Sequence, residues 1–347
     1  MNKKDLRIVY MGTPDFAVPT LERLIAEGYN VVGVITMPDK PVGRHQNQLQ
    51  ASPVKQCALK HNIPVLQPEK LKNEEFLAEL RALKADLQIV VAFRMLPEVV
   101  WAMPRLGTFN LHAALLPQYR GAAPINWAII NGDTETGITT FFLDKDIDTG
   151  QIIQQQRIPI GSDDNVEDIH YRLMMLGAEL VCETVQNIID GKVKPIPQDQ
   201  LAQAEELRPA PKIFRETCQI QWEYMDIRTL HNFVRGLSPY PGAWTTIISP
   251  DGNETTMKIL KTEIVEENEC NVGDIWEIHK VEGRISIKKV KDAVGYQLDT
   301  STPGELRIKL ENGVLRILEL QLAGKKRMLT ADLLRGTSLE GYTLSAK

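Results

Sequence analysis

Leu6-Arg7-Ile8-Val9-Tyr10-Met11-Gly12-Thr13-Pro14-Asp15-Phe16-Ala17 sets the fold of the first half of the chain. Leu6 to Met11 is a β-branched and aromatic run of strand length, read as a buried strand. Gly12-Thr13-Pro14 turns the chain, and Asp15 is placed to cap a helix to about Glu27 with the apolar stripe Phe16, Leu21, Leu24 and Ile25. Working outward, Val31–Thr36, Leu87–Phe93 and Gly107–His112 are further strands, with helices near Asn73–Leu83 and Ala123–Asn131. Strand and helix in alternation predict an α/β fold, a Rossmann-like, doubly wound and mostly parallel sheet. Thr139–Leu143 and Gln151–Gln156 read as one more strand and its returning partner, and Asp164–Ile189 as one long helix.

The pattern then changes. Gly191 to Pro211 holds Pro195, Pro197, Pro209 and Pro211 among polar residues, the composition of a linker. Beyond it the period is two, over Trp244–Ile248, Met257–Ile264, Ile275–His279, Arg284–Val290, Leu306–Leu310 and Val314–Leu320. Asp251-Gly252 and Asn312-Gly313 supply turns, so a small OB-like β-barrel is expected. The boundaries read as a first domain over 1–189, a linker over 190–208 and a second domain over 209–347.

The chain has 347 residues, long enough for two cores. Its 43% hydrophobic and 24% charged residues are ordinary globular usage. A net charge of −5 argues against a protein that coats nucleic acid indiscriminately. From Arg208 onward there are 20 Lys+Arg against 19 Asp+Glu, so the acidity lies in the first 207 residues. Cys57, Cys182, Cys218 and Cys270 are far apart and without His companions, which indicates neither a zinc site nor a disulfide framework. There is no membrane-spanning run and no signal-peptide core, so a cytoplasmic location is expected.

Two stretches carry chemistry. In Asn110-Leu111-His112, strand spacing projects Asn110 and His112 to one side at the carboxyl end of a parallel strand, where open α/β sheets bind ligands. An amide donor beside an imidazole suits acyl transfer, because both can serve a developing oxyanion or move a proton. The pair alone reads first as a satisfied core histidine and a turn-capping asparagine. Asp144-Lys145-Asp146-Ile147-Asp148-Thr149-Gly150 forms an acidic turn from which Asp148 can face the same cleft. A calcium loop is disfavoured by the missing bidentate Glu. A serine nucleophile elbow is disfavoured by the lack of G-x-S-x-G, and a dinucleotide cofactor by Pro14 and Ala17 at the later glycine positions.

Together, Gly12 to Ala17, the block Asn110 to Pro124, and Asp148-Thr149-Gly150 resemble the folate-dependent formyltransferases. The likeness runs nearly end to end. It takes in Pro38-Asp39-Lys40-Pro41 with Gly43-Arg44, Ser52-Pro53-Val54-Lys55, and Gln321 to Met328 around Ala323-Gly324-Lys325-Lys326. The Asn/His/Asp set marks the superfamily; the second-strand loop and the terminal barrel mark the branch that acts on tRNA. The resemblance implies transfer of a formyl group from 10-formyltetrahydrofolate to the α-amine of methionine on charged initiator tRNA, for translation initiation. It implies Asn110, His112 and Asp148 as the catalytic trio. Ala114, Leu115, Leu116, Pro117, Phe93, Arg94, Met95 and Leu96 are implied for the folate site. Arg44 and Lys40 of the second-strand loop, with Lys325, Lys326 and Arg327, are expected to contact tRNA phosphates. No metal, no membrane and a monomer are expected.

Three departures stand out. Ala114 replaces the family's usual Ser, Phe93-Arg94 replaces its Tyr-Gly, and His45 to Gln50 lacks its lysines. The competing readings are a sibling enzyme that formylates a sugar nucleotide or hydrolyses formylfolate with the same trio, and a non-catalytic RNA-binding module.

Overall fold

The computed structural model describes residues 2–42, 48–201, 207–265, 276–281, 284–289, 297–301, 304–310 and 313–345. Packing divides the chain into two units. The first comprises residues 1–125, 134–160 and 168–212, and the second residues 126–133, 161–167 and 213–347.

The elements through the first half are β1 (Arg7–Gly12), α1 (Val18–Ala26), β2 (Asn30–Ile35), the hairpin β3 (Lys40–Val42) and β4 (Gln48–Gln50), α2 (Pro53–Lys60), β5 (Val65–Leu66), α3 (Glu74–Ala82), β6 (Leu87–Val91), α4 (Glu98–Trp101), β7 (Thr108–His112), α5 (Pro124–Ile130), β8 (Glu135–Phe142), β9 (Ile152–Pro159) and α6 (Val166–Ile189). Seven strands form one sheet in the order β5-β2-β1-β6-β7-β8-β9. The first five in that order are parallel, β8 runs antiparallel to β7, and β9 runs antiparallel to β8. The expected doubly wound sheet is therefore present. Strand order reverses at the crevice between β1 and β6, where such sheets bind ligands.

Asp15 does not cap α1. Its carboxylate accepts from the Phe16 N–H at 3.0 Å within a 3-10 turn, Asp15–Ala17, and α1 starts after it with Pro19 in its first turn. One face of the sheet buries Val9, Met11, Ile35 and Val90 against Phe76, Leu77 and Leu80 of α3 and Val100 of α4. On the opposite face Leu111 lies so close to Gly177 of α6 that a Cβ there would come within 2.6 Å of it. Because residues alternate along β7, Asn110 and His112 belong to the α3/α4 side.

The second unit contains α7 (Ile227–Leu237), β10 (Ala243–Ile248), β11 (Glu254–Val265), a separate hairpin of β12 (Trp276–Val281) and β13 (Arg284–Lys289), β14 (Gln297–Asp299), β15 (Leu306–Leu310), β16 (Gly313–Leu322), β17 (Met328–Leu329), α8 (Thr330–Leu334) and β18 (Thr343–Leu344). Its antiparallel strands run β14-β15-β16-β11-β10-β18, with β14 approaching β18, so the sheet curls into a nearly closed barrel. Leu230, Phe233 and Val234 of α7 fill it together with Trp222, Met257, Ile259 and Leu315. Among the described residues, no helix is long and apolar enough to cross a membrane.

Candidate active site

β7 delivers Asn110 and His112. Val90 of β6 and Phe141 of β8 flank Asn110, while Thr139 of β8 lies opposite His112. His112 is 6% exposed, and its ring meets Phe141 edge-on at 6.4 Å. With its hydrogen on Nε2, the ring donates to the Tyr119 carbonyl at 2.8 Å. Nδ1 faces Asp148 Oδ2 across 3.7 Å, too long for a direct hydrogen bond but close for an ion pair. Both ring nitrogens thus point at oxygen atoms. The Asn110 amide is half-buried and, among the described residues, has no hydrogen-bond partner.

Asp148 adopts the left-handed conformation, φ +55°, which Asp tolerates better than most side chains. Its Oδ2 accepts the Gly121 N–H at 2.9 Å. The other two acids of the turn divide the work. Asp144 accepts from the Asp146 N–H at 3.1 Å and the Thr149 hydroxyl at 2.6 Å, closing the turn on itself, while Asp146 stays exposed. Asp148 alone of the three therefore reaches the histidine.

Tyr119, absent from the sequence-derived site, also has a positive φ, +60°. A bulky residue holds that conformation only where its neighbours fix it. Here the Tyr119 N–H donates to the Arg208 carbonyl at 2.7 Å, its hydroxyl accepts from Arg208 Nη1 at 3.0 Å, and the guanidinium lies 5.9 Å from its ring centre. The residue that orients the His112 ring is thus itself held by Arg208.

The folate segments fall on two loops. Phe93 to Leu96 follow the end of β6, and of these Met95 is 67% exposed while Leu96 is buried. Arg94 turns away to the stretch after β5: Nη1 donates to the Glu69 carbonyl at 2.8 Å and Nη2 to that of Pro68. Burial lowers its pKa, and its Nε is buried without a partner. Ala114, Leu116 and Pro117 are buried, and Leu115 is half-buried. Leu116 packs on Phe141 and Ile152, and the Thr139 hydroxyl donates to the Ala114 carbonyl at 2.7 Å. An open groove of about 600 Å³ beside Gln67, Glu69, Lys70, Asn73, Phe76 and Glu79 includes none of the trio.

Of the expected tRNA contacts, Lys40 is exposed at the start of the β3–β4 hairpin, and Arg44 lies outside the described residues. Lys325, Lys326 and Arg327 are exposed in the β16–β17 turn. Arg327 pairs with Glu319, and Lys325 Nζ donates to the Thr337 hydroxyl at 3.4 Å. Among the aromatics of the second unit, Trp222 is buried with its indole N–H on the Thr245 hydroxyl, and Trp244 donates to the Arg215 carbonyl. Tyr240 is 81% exposed.

A doubly wound sheet followed by a barrel is the architecture of the formyl-transferring enzymes, and the family matches place the chain in that class. The family described as "Formyl transferase" matches residues 6–185, and "Formyl transferase, C-terminal domain" matches residues 212–338. The chain is 57% identical to the methionyl-tRNA formyltransferase of Bacteroides fragilis over the full length of both. It belongs to the methionyl-tRNA formyltransferase family. Among solved structures, an N-formyltransferase from Helicobacter canadensis, complexed with folinic acid and dTDP-3-aminofucose, shares the fold with a TM-score of 0.60. That match has 20% identity and covers 90% of this chain and 98% of the other. HypX from Aquifex aeolicus in complex with tetrahydrofolic acid matches with a TM-score of 0.59 and 18% identity over 97% of this chain, which spans about half (48%) of HypX.

Proposed function

We infer that the protein transfers the formyl group of 10-formyltetrahydrofolate to the α-amine of methionyl-initiator tRNA. The observation that carries the chemistry is the convergence of His112 and Asp148, 3.7 Å apart, on the side of β7 that also presents Asn110. In this reading the amine attacks the formyl carbon directly. The Asn110 amide donates to the oxyanion, Nε2 stays on the Tyr119 carbonyl to fix the ring, and Asp148 orients His112 and assists transfer of the amine's proton to Nδ1, which then also donates to the oxyanion. As the tetrahedral intermediate collapses, the bond from the formyl carbon to the folate nitrogen breaks and that nitrogen takes up the proton from Nδ1. Phe93 to Leu96 and Ala114 to Pro117 border the donor. The β3–β4 hairpin with Lys40 and Arg44, and Lys325, Lys326 and Arg327, contact the acceptor's phosphates. The full-length likeness to methionyl-tRNA formyltransferases supports tRNA over a sugar nucleotide as acceptor. We take residues 1–189 as the catalytic domain, 190–208 as the linker and 209–347 as the tRNA-binding domain, and the enzyme as a cytoplasmic monomer.

The test is formation of formyl-methionine from 10-formyltetrahydrofolate and charged initiator tRNA. Asn110→Ala and His112→Ala should each lower kcat by on the order of a hundredfold with tRNA affinity retained. Turnover that survives either change removes that residue from the trio.

A further inference from the structure

Gln198 lies in the proline-rich stretch that the sequence marks as a linker, yet it is 3% exposed and every hydrogen-bonding atom of its amide is engaged inside the first unit. Its Nε2 donates to the Asp148 carbonyl at 2.8 Å and to the Gly150 carbonyl at 2.8 Å. Its Oε1 accepts from Arg120 Nε at 3.0 Å and Nη2 at 2.6 Å. The amide therefore joins two segments that converge on the histidine. One is the turn that carries Asp148. The other is Tyr119-Arg120-Gly121, whose first residue accepts from His112 Nε2 and whose last donates to Asp148 Oδ2.

We propose that Gln198 is a positioning residue of the formyl-transfer site, setting the separation between Asp148 and His112 by clamping the Asp148–Gly150 backbone to Arg120. Several features converge on this role. Asp148 sits at φ +55°, a conformation that external bonds must maintain. The Asp148 carboxylate does not touch the His112 ring directly, so the 3.7 Å gap is set by what holds each group from behind. A buried amide with two donors and two accepted bonds is rigid, and losing it strands two carbonyls and a guanidinium together. The segment around Gln198 is also pinned to the sheet. Ile196 exchanges backbone bonds with Ile152 of β9, at 2.9 and 2.8 Å. Further along, Ala210 accepts from the Ala122 N–H at 2.8 Å and donates to the Arg120 carbonyl at 2.8 Å. Ile196 to Gln198 and, further along, Ala210 thus act as a strap tied to the site's own segments.

This role rests on the assignment of Asp148 and His112 as catalytic, and the experiment separates the two claims. Single-turnover formyl transfer, with full-length enzyme in excess over charged initiator tRNA, is measured for Gln198→Met, Gln198→Glu, Asp148→Asn and the double variants. Gln198→Glu keeps the acceptors for Arg120 but loses both donors, so it supplies the comparison if the methionine variant does not fold. Each Gln198 change should slow transfer on the order of tenfold or more in the wild-type background, with KM for the formyl donor unchanged. In the Asp148→Asn background the same change should cost less than about twofold, because it acts through the carboxylate already removed. A purely structural contribution would slow both backgrounds alike, and such additivity overturns the proposal. So does wild-type transfer by either single Gln198 variant while Asp148→Asn is impaired. Full activity of Asp148→Asn refutes the catalytic assignment itself, and the positioning role falls with it.

Discussion

Gly121 adopts φ +127°, and a Cβ placed there would stand 2.4 Å from the Ala210 carbonyl oxygen. Its N–H is also the donor that holds Asp148 Oδ2. Gly121→Ala must therefore move either the strap or the donor, because the obstructing atom is backbone and cannot rotate away. Transfer should fall on the order of tenfold or more, since small displacements of a catalytic group are expensive. Tm should fall with it. Wild-type kcat in this variant would show that the Gly121 contact does not place Asp148. The proposed trio came from the family resemblance: alternation put Asn110 and His112 on one side and the acidic turn offered Asp148, but spacing alone did not separate them from a core histidine and a capping asparagine. What holds them was not legible. Tyr119 acts through its carbonyl, which no side-chain pattern reports, and Gln198 is fifty residues from Asp148 in a stretch whose prolines look like a tether. Tyr119-Arg120-Gly121 lay inside the motif, and the glycine after two large residues was its one visible cue. Arg94, which the resemblance implies for the folate site, has its guanidinium anchored on the Pro68 and Glu69 carbonyls, contacts that no sequence pattern reports.

At the scale of elements, the β3–β4 hairpin is rooted by polar contacts. Lys55 of α2 meets Asp39 at 2.6 Å, Gln67 donates to the other Asp39 oxygen at 2.8 Å, and the Thr36 and Ser52 hydroxyls share a bond of 2.7 Å. The Lys55 and Gln67 bonds keep the Asp39 carboxyl below its ordinary pKa. Lys55→Met should raise KM for charged tRNA several-fold while KM for the formyl donor stays constant; equal changes in both would count against a tRNA-dedicated hairpin. Four helices escaped the sequence reading, and of these α4 and α8 are only four and five residues long. α2 is short and starts Pro53-Val54 after Ser52, whose hydroxyl caps it by accepting from the Lys55 N–H. α7 lies among strands with period two, although Asp226 caps it and Ile227, Leu230, Phe233, Val234 and Leu237 mark its buried stripe. Packing of α7 on β11 buries His231, with Nδ1 bonded to the Thr262 hydroxyl at 2.9 Å and Nε2 to the Ser162 carbonyl at 3.2 Å. Burial pushes its pKa below the ordinary 6.5. A depressed histidine contributes its full stability above the unfolded value and loses it as pH falls through the folded one, because the unfolded chain takes up the proton first. Urea midpoints of the wild type should therefore drop below pH 6.5 more steeply than those of His231→Gln. Parallel profiles would show that His231 is not the group responsible.

For the molecule as a whole, a chain of net charge −5 must bind a polyanion through local clusters against its overall sign. Binding of that kind is driven by counterion release, with each phosphate contact adding about 0.7–0.9 to the slope of log affinity against log salt. The described candidates are unequal. Arg327 is engaged by Glu319, while among the described residues Lys326 has no ion-pair partner and is exposed. In a salt titration, kcat/KM for charged tRNA should fall steeply, whereas KM for the formyl donor should barely change. Lys326→Ala should reduce the tRNA slope by about 1. Arg327→Ala should reduce it by less, because part of its charge is already compensated before tRNA arrives. A flat salt profile for the tRNA would remove phosphate contacts from the recognition mechanism, and equal effects of the two substitutions would mean that Arg327 leaves Glu319 for the tRNA backbone.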